Sequence, residues 1–351
     1  MSKINDVISR IKPLDEKAMA EAKKRQDALT KPQGSLGQLE SLSIRVAGIK
    51  GNPGPRTDRK VIFTLAGDHG VTKEGVSAYP SDVTAQMVCN FLQGGAGINV
   101  LARQIGARVV VADLGVSSVL EGNPDLKDKK VAMGTQNMAK GPAMTREQAA
   151  RSIEAGIELV EEELPKGMDI LGTGDMGIGN TTSSSAITAL LTGAEVSKVT
   201  GRGTGLDDEG WKRKVEMIQK ILEINRPDPK DPIDVLSKIG GFEIGGIAGL
   251  ILAGARHRIP VVIDGFISGA AALIAVSLSP KAKPYLIASH QSAEQGHKVL
   301  LDSLGLKPLM DLDLRLGEGT GAALGIFLVE ASLRILNEMA TFAEARVSRK
   351  L

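Results

Sequence analysis

Cysteine is nearly absent: Cys89 is the only one in 351 residues, so no intramolecular disulfide can form and no thiolate cluster can hold a metal. A reducing, cytoplasmic setting fits that usage. Aromatic side chains make up 3% of the chain, too few for a platform that stacks nucleic-acid bases. The charges almost cancel, with 43 Lys and Arg against 41 Asp and Glu and a formal net charge of +2, which leaves no overall field to gather a polyanion or an anionic membrane. Long apolar runs are missing too. Gly, Asp or Glu interrupts each one short of membrane-spanning length, and the first residues lack the apolar centre of a signal peptide. The four histidines, His69, His257, His290 and His297, have no partners at ligand spacing, so no metal site is expected. No Gly-Lys-Ser/Thr follows a glycine-rich turn, no serine sits in a nucleophile elbow, and no paired acids precede a Thr-Gly-Gly loop of the kind that handles pyrophosphate with Mg²⁺.

Glycine is what the chain has in quantity, 41 residues of it, and it collects at the ends of apolar runs. Val61 to Leu65 runs into Ala66-Gly-Asp-His-Gly70, and Arg108 to Ala112 into Asp113-Leu-Gly115. Asp169 to Leu171 leads into a glycine-rich turn, Pro260 to Ile263 into Asp264-Gly265, and Pro284 to Ala288 into Ser289-His-Gln291. Helix-length segments surround them, at 14–29, from the Thr30–Gly37 turn to about Val46, and at 82–93, 145–163, 180–191, 209–223 and 292–304. Short continuous apolar strands alternating with helices predict an α/β fold, a Rossmann-like mostly parallel sheet with helices on both faces. In such sheets ligands bind beyond the carboxyl ends of the strands, which is where this chain places its Gly, Asp, His and Ser residues. The expected division is a large domain over 56–320 and a small helical domain over 1–55, with 321–351 a further piece of the latter if the two ends of the chain meet.

Five glycine-rich loops stand out, at 172–179, 201–205, 240–246, 265–269 and 317–321. In the first, the run Leu171-Gly-Thr-Gly-Asp-Met-Gly-Ile-Gly-Asn-Thr-Thr182 reads as a strand that breaks into glycines and restarts as a helix at Asn180. Free N–H groups at a new helix, with the Thr181, Thr182 and Ser183 hydroxyls, favour a phosphate. The same run also reads as a glycine turn closed by an Asn cap, and its residues leave both readings open. In the last loop Glu318 stands between Gly317 and Gly319 at an apolar edge. A carboxylate so placed is poorly solvated and its pKa should rise toward that of a useful base; alternatively, it caps the helix that follows. His290, just after a strand, serves equally well as an active-site neighbour or a hydrogen-bonded structural residue. Lys214, within the 209–223 helix, reads as solvated surface.

Seven motifs in order carry a resemblance: Lys31-Pro-Gln-Gly-Ser-Leu-Gly37, Ala66-Gly-Asp-His-Gly-Val71, Gly-Asn-Thr-Thr at 179–182, Asp234-Val-Leu-Ser-Lys-Ile-Gly-Gly-Phe-Glu243, Val262-Ile-Asp-Gly-Phe-Ile-Ser268, Ser289-His-Gln-Ser-Ala-Glu294 and Arg315-Leu-Gly-Glu-Gly-Thr-Gly321. Together they resemble the nicotinate-nucleotide:dimethylbenzimidazole phosphoribosyltransferases, the cobalamin lower-ligand enzymes, over nearly the whole chain. The resemblance implies a homodimer that transfers phosphoribose from nicotinate mononucleotide to a benzimidazole, giving α-ribazole 5′-phosphate and nicotinate, without a cofactor. It also implies roles for residues. Glu318 matches the general base, and Lys214 a lysine near the reacting centre, which replaces the surface reading. Asp175 stands where the family often has Glu, one methylene longer. Gly177, Gly179, Asn180, Thr181 and Thr182, with Gly201, Gly203, Ser289, His290 and Ser292, match regions around the nucleotide and its phosphate. Tyr79, Gln86, Met87, Met176 and Leu316 are expected to line the base pocket. Transfer to another acceptor, a purine or phenol, and a catalytically silent nucleotide sensor are the alternatives; a sensor has no use for a base at Glu318.

Overall fold

The computed structural model describes residues 2–120, 122–203 and 205–348. Its centre is a six-stranded parallel sheet of β1 (Lys60–Gly67), β2 (Ala107–Gly115), β3 (Leu126–Asp128), β4 (Ile170–Met176), β5 (Val261–Ile263) and β6 (Leu286–Ala288), ordered β3-β2-β1-β4-β5-β6. β1, β5 and β6 are buried throughout, and β4 is buried up to its last residue. Helices on both faces account for that, and for strands that read as unbroken apolar runs rather than as alternation. The strand order reverses between β1 and β4, so the loops leaving these strands part and open a crevice at the carboxyl edge. Leu65 pairs with Asp175 at that edge, and Ala66 with Met176. A two-stranded ribbon, β7 (His290–Gln291) and β8 (Met310–Asp311), extends the chain just past β6.

The helices, in chain order, are α1 (Lys3–Ser9), α2 (Glu16–Ala28), α3 (Gln38–Lys50), α4 (Asp82–Gln93), α5 (Gly97–Ile105), α6 (Arg146–Glu163), α7 (Asn180–Thr192), α8 (Val196–Val199), α9 (Asp208–Asn225), α10 (Pro232–Ile239), α11 (Phe242–Arg256), α12 (Phe266–Leu278), α13 (Gln295–Leu304) and α14 (Thr320–Glu338). Asp15, Thr145, Asp207 and Asp231 accept from first-turn N–H groups of α2, α6, α9 and α10, the usual way to satisfy a helix start. At the ends of the chain, Arg25 on α2 donates to Leu336 O on α14 at 2.6 Å, and Leu29 pairs with Thr341 in an antiparallel bridge. α1 packs against α6 and α11. Residues 349–351 of the C-terminal piece, like Thr204 in the 201–205 loop, lie outside the described residues.

Several expectations need correction. The 240–246 segment is not a loop: Gly245 and Gly246 belong to α11, and Gly269 in the 265–269 segment belongs to α12. Both helices are apolar around their whole circumference, so no amphipathic period marks them. Their glycines serve close packing instead. A Cβ on Gly156 of α6 would overlap Gly246 O, and one on Gly249 would overlap Ile153 O, so α6 and α11 touch backbone to backbone. α13 begins at Gln295, later than the expected 292, which leaves Ser292 to Glu294 open at the carboxyl edge. α14 is long and apolar enough to cross a membrane, contrary to the expectation that no segment would be, but 56% of that stretch is buried and it is packed here as a core helix.

The contact between α6 and α11 yields a stability test. Gly156→Ala has no flexible neighbour that can yield, so the helices must separate; overpacking of this kind costs about 1–3 kcal/mol. The urea midpoint should fall accordingly with an unchanged m-value. A midpoint equal to that of the parent would show that the helices do not meet at the backbone.

Candidate active site

The crevice between β1 and β4 deepens into a cavity of about 550 Å³. One end is apolar, with Tyr79, Val83 and Met87 of the α4 region, Met176 at the end of β4, and Leu316; the other carries Thr181, Gly203, Glu294 and Arg315. Asp175, Asn180, Gly177, His290, Ser292 and Glu318 also line it. Tyr79 and Leu316 are more than half exposed, so they form its rim. Gly179, Thr182, Gly201, Ser289 and Lys214 lie behind this lining, and Gln86 is on the exposed side of α4, outside the cavity.

Glu318 is held in a conformation that a free chain avoids. Its φ is 64°, between Gly317 at 81° and Gly319 at 100°, three successive left-handed residues of which only the glycines are at ease. Four hydrogen bonds keep it there. Thr64 Oγ1 donates to Glu318 O at 2.8 Å, Glu318 N donates to Asp175 O at 3.2 Å, and Asp264 accepts from Gly319 N at 3.1 Å and Ala322 N at 3.0 Å. Asp264 therefore caps α14, and the alternative reading of Glu318 as that cap is overturned. The Glu318 carboxylate instead accepts from Ile98 N, at the start of α5, at 3.2 Å. Burial pushes its pKa above the ordinary glutamate value, against the opposing pull of the Ile98 and Gly97 N–H groups.

The carboxyl edge is crowded with acids. Asp175 accepts from Asn180 Nδ2 at 3.0 Å, and burial raises its pKa well above normal, helped by the negative neighbours Asp264, Glu243 and Glu318. Burial pushes Asp264 up to about 7, although backbone N–H groups of Ala322, Gly319 and Gly321 oppose the shift. Asn180 is thus drawn to Asp175 and is not an N-cap. The residue at that position is Gly179, at φ 95°, and no side chain caps α7. Ile178 N is taken by Thr84 Oγ1 of α4 at 3.1 Å, which ties the turn to the apolar end of the cavity.

Lys214 is buried, with Nζ 2.7 Å from Thr181 Oγ1, and burial lowers its pKa to about 8. The surface reading of this lysine is wrong, as the resemblance had indicated. His290 Nδ1 lies 3.0 Å from Ser289 Oγ, and burial lowers its pKa. Among the described residues, no three His, Cys, Asp or Glu side chains are grouped to hold a metal ion.

The sequence reading assigned no role to several residues that shape this edge: Asp264, Glu294, Arg315 and the buried pair His69 and Glu243. His69 Nε2 is 2.6 Å from Glu243 Oε1, and its Nδ1 is 3.1 Å from Ser183 Oγ on α7. The pair lies directly under the turn that starts α7. A Cβ on Gly67 would come within 2.9 Å of Glu243 Oε2, and one on Gly179 within 3.3 Å of His69 Cβ. The Ala-Gly-Asp-His-Gly and Gly-Gly-Phe-Glu motifs were the available signal, since each brings one half of the pair.

With that geometry in view, the comparisons with known proteins fall into place. Residues 11–347 match the profile of a phosphoribosyltransferase family. The chain belongs to that family. A protein of Desulforudis audaxviator named nicotinate-nucleotide–dimethylbenzimidazole phosphoribosyltransferase is 60% identical over 349 residues, covering 99% of each chain. One of the same name from Geobacter sulfurreducens is 56% identical over 348 residues, again covering 99% of each. The crystal structure of the Thermus thermophilus protein of that name superposes with a TM-score of 0.91 at 45% identity, over 96% of this chain and 100% of that one. The expected family and α/β architecture are both borne out.

The acid cluster makes the stability of this phosphoribosyltransferase depend on pH in a definite direction. An unfolded aspartate titrates near about 4, whereas Asp264 in the fold titrates at about 7. Between those values the native state holds the extra proton, so this group's contribution to stability is full below about pH 4 and is lost as pH rises through about 7. Asp175 acts in the same direction. Urea midpoints measured from about pH 4.5 to 7.5 should show a shallower decline in Asp264→Asn than in the parent; parallel slopes would refute the assignment.

Proposed function

We propose that this chain transfers phosphoribose from nicotinate mononucleotide to 5,6-dimethylbenzimidazole or a related base, releasing nicotinate and α-ribazole 5′-phosphate, and that it does so as a cytoplasmic homodimer. The observation that carries the reading is a buried carboxylate, Glu318, fixed beside the apolar residues of a cavity that also carries the Thr181 hydroxyl at a helix start, backed by the buried Lys214. The names of the relatives support it.

The reaction asks for what this edge supplies. Nicotinate leaves as a pyridine whose nitrogen already bears positive charge, so the breaking C1′–N bond returns its electron pair to that nitrogen and no acid is required. The base attacks C1′ through its lone-pair nitrogen from the opposite face, which inverts β to α. Its other ring N–H then passes its proton to Glu318, and a neutral product results. General-base assistance of this kind is worth about 10² to 10⁴ in rate, and holding both rings in line across the ribose adds to it. The phosphate is assigned to the Gly177–Thr182 turn, where the uncapped start of α7, Thr181 and Lys214 meet. Tyr79, Met87, Met176 and Leu316 give the acceptor an apolar seat with an adaptable thioether surface.

Steady-state turnover with nicotinate mononucleotide and dimethylbenzimidazole tests the reading directly. Glu318→Gln preserves volume and removes the proton acceptor, so kcat should fall at least about 100-fold while nucleotide binding survives. Retention of more than about a tenth of the parental kcat would rule out the base. N-methylbenzimidazole, which has no N–H to surrender, should be a far poorer acceptor than benzimidazole on the same preparation, and equal use of the two would likewise contradict proton transfer to Glu318.

A further inference from the structure

Beneath the cavity lies a buried set of groups that the proposed chemistry does not use. His69 follows β1, Glu243 lies in the first turn of α11 and Ser183 in the first turn of α7, and their exposures are 2%, 0% and 0%. His69 Nε2 is 2.6 Å from Glu243 Oε1, and Nδ1 is 3.1 Å from Ser183 Oγ. With the Ser183 hydroxyl donating to Gly240 O at 3.2 Å, Nδ1 is left as the donor to Ser183, and Nε2 and the Glu243 carboxylate share one proton. The order serine, histidine, carboxylate is that of a hydrolytic triad, but this set holds no nucleophile, because Ser183 has no exposed surface and its proton is committed to a carbonyl. The bonds instead tie three elements together: the exit of β1, the start of α7 and the junction of α10 with α11.

Burying two ionisable groups adds little to stability, since the loss of hydration offsets their attraction. What sets this pair apart is its place. Gly177, Ile178, Asn180 and Thr181, in the turn that it supports, line the cavity on the other side, and the start of α7 has no side-chain cap of its own. The backbone is drawn close around the pair: a Cβ on Gly177 would come within 3.4 Å of Glu243 Oε1, and one on Gly241 within 2.4 Å of His69 Cε1. Neither glycine has a left-handed backbone, so close approach is what requires them. We propose that His69 and Glu243, acting through Ser183, are positioning residues for the nucleotide, holding the turn before α7 in the shape that receives the phosphate without touching the ligand. This rests on the placing of the phosphate at that turn, proposed above.

The test isolates the phosphate. Calorimetry measures the binding of nicotinate mononucleotide, and of nicotinate riboside, which lacks only the phosphate, to the parent, Glu243→Gln, Ser183→Ala and the double variant. The parent should prefer the mononucleotide, and each single variant should cut that preference roughly tenfold, the size of one charge-assisted hydrogen bond, while riboside binding holds. The double variant should lose no more than the worse single variant, because both substitutions cut one chain of bonds. In turnover, KM for the mononucleotide should rise while KM for dimethylbenzimidazole stays within about twofold. A preference unchanged in either single variant, losses that add in the double variant, or an equal rise in both KM values would overturn the proposal. A parent that binds mononucleotide and riboside equally would refute the phosphate placement itself, and the role of the pair with it. A parent that prefers the mononucleotide, with variants that keep the preference, would refute only the role of the pair. If Glu243→Gln does not fold, as judged by circular dichroism, Ser183→Ala, the smaller change, decides the matter.

Discussion

Asp264 sits at the end of β5 and accepts from Gly319 N and Ala322 N, and through those two bonds the sheet fixes both the start of α14 and the backbone beside Glu318. Without that anchor the Gly317–Glu318–Gly319 segment has every reason to relax, since a non-glycine residue at φ 64° is strained and its neighbours are the two most permissive residues available. Glycine flanks usually mean freedom. Here they let the chain adopt a left-handed run that no other sequence could follow, and Asp264, Thr64 and the Asp175 carbonyl then freeze it. The carboxylate at the centre is thereby aimed at α5 instead of α14, where the N–H groups of Gly97 and Ile98 meet it.

That anchoring group is itself an acid among acids, and burial presses on each of them. Asp175, buried and facing three other carboxylates, is driven to keep its proton. Asp264 follows, at about 7. Glu318 is pushed upward by burial as well, and the Gly97 and Ile98 N–H groups pull it back toward the charged form. Separate environments thus press unequally on the carboxyls of one crowded edge, and the base role proposed for Glu318 draws on the two N–H groups that favour its charged form.

The sheet was legible because its strands are buried on both faces and end in polar turns, so composition alone marks where they stop. α11 and α12 were not, because a helix that is apolar all round has no period to detect, and glycines that serve close packing look like glycines that serve a turn. Lys214 could have been placed from the sequence. It lies four residues before Ile218 and seven before Ile221, on the apolar stripe of α9, and a lysine on that stripe must be buried or paired. His69 and Glu243, 174 residues apart, each stand in a motif the sequence shows, but that the two motifs meet is visible only in the fold. Glu294 was hidden by a boundary, since an early start for α13 would have put it on a helix face and not on the open strand end.

The two ends of the cavity differ in what they must do, and the residues divide accordingly. At the apolar end the proposed reading sets Glu318 before rings that need orientation and the loss of one proton, and Thr84 ties the α4 wall there to the turn that precedes α7. At the other end a buried lysine with its pKa lowered to about 8 is held by one hydroxyl. An anion arriving beside that ammonium would stabilise its charged form and raise its pKa again, so the proposed placing of the phosphate there couples its binding to protonation of Lys214 through the same desolvation that depresses it in the free protein. On that proposed reading, binding interactions made by the phosphate, remote from C1′, hold the sugar still while the bond to nicotinate lengthens, and a site with one base and no acid lowers the barrier to transfer in this way.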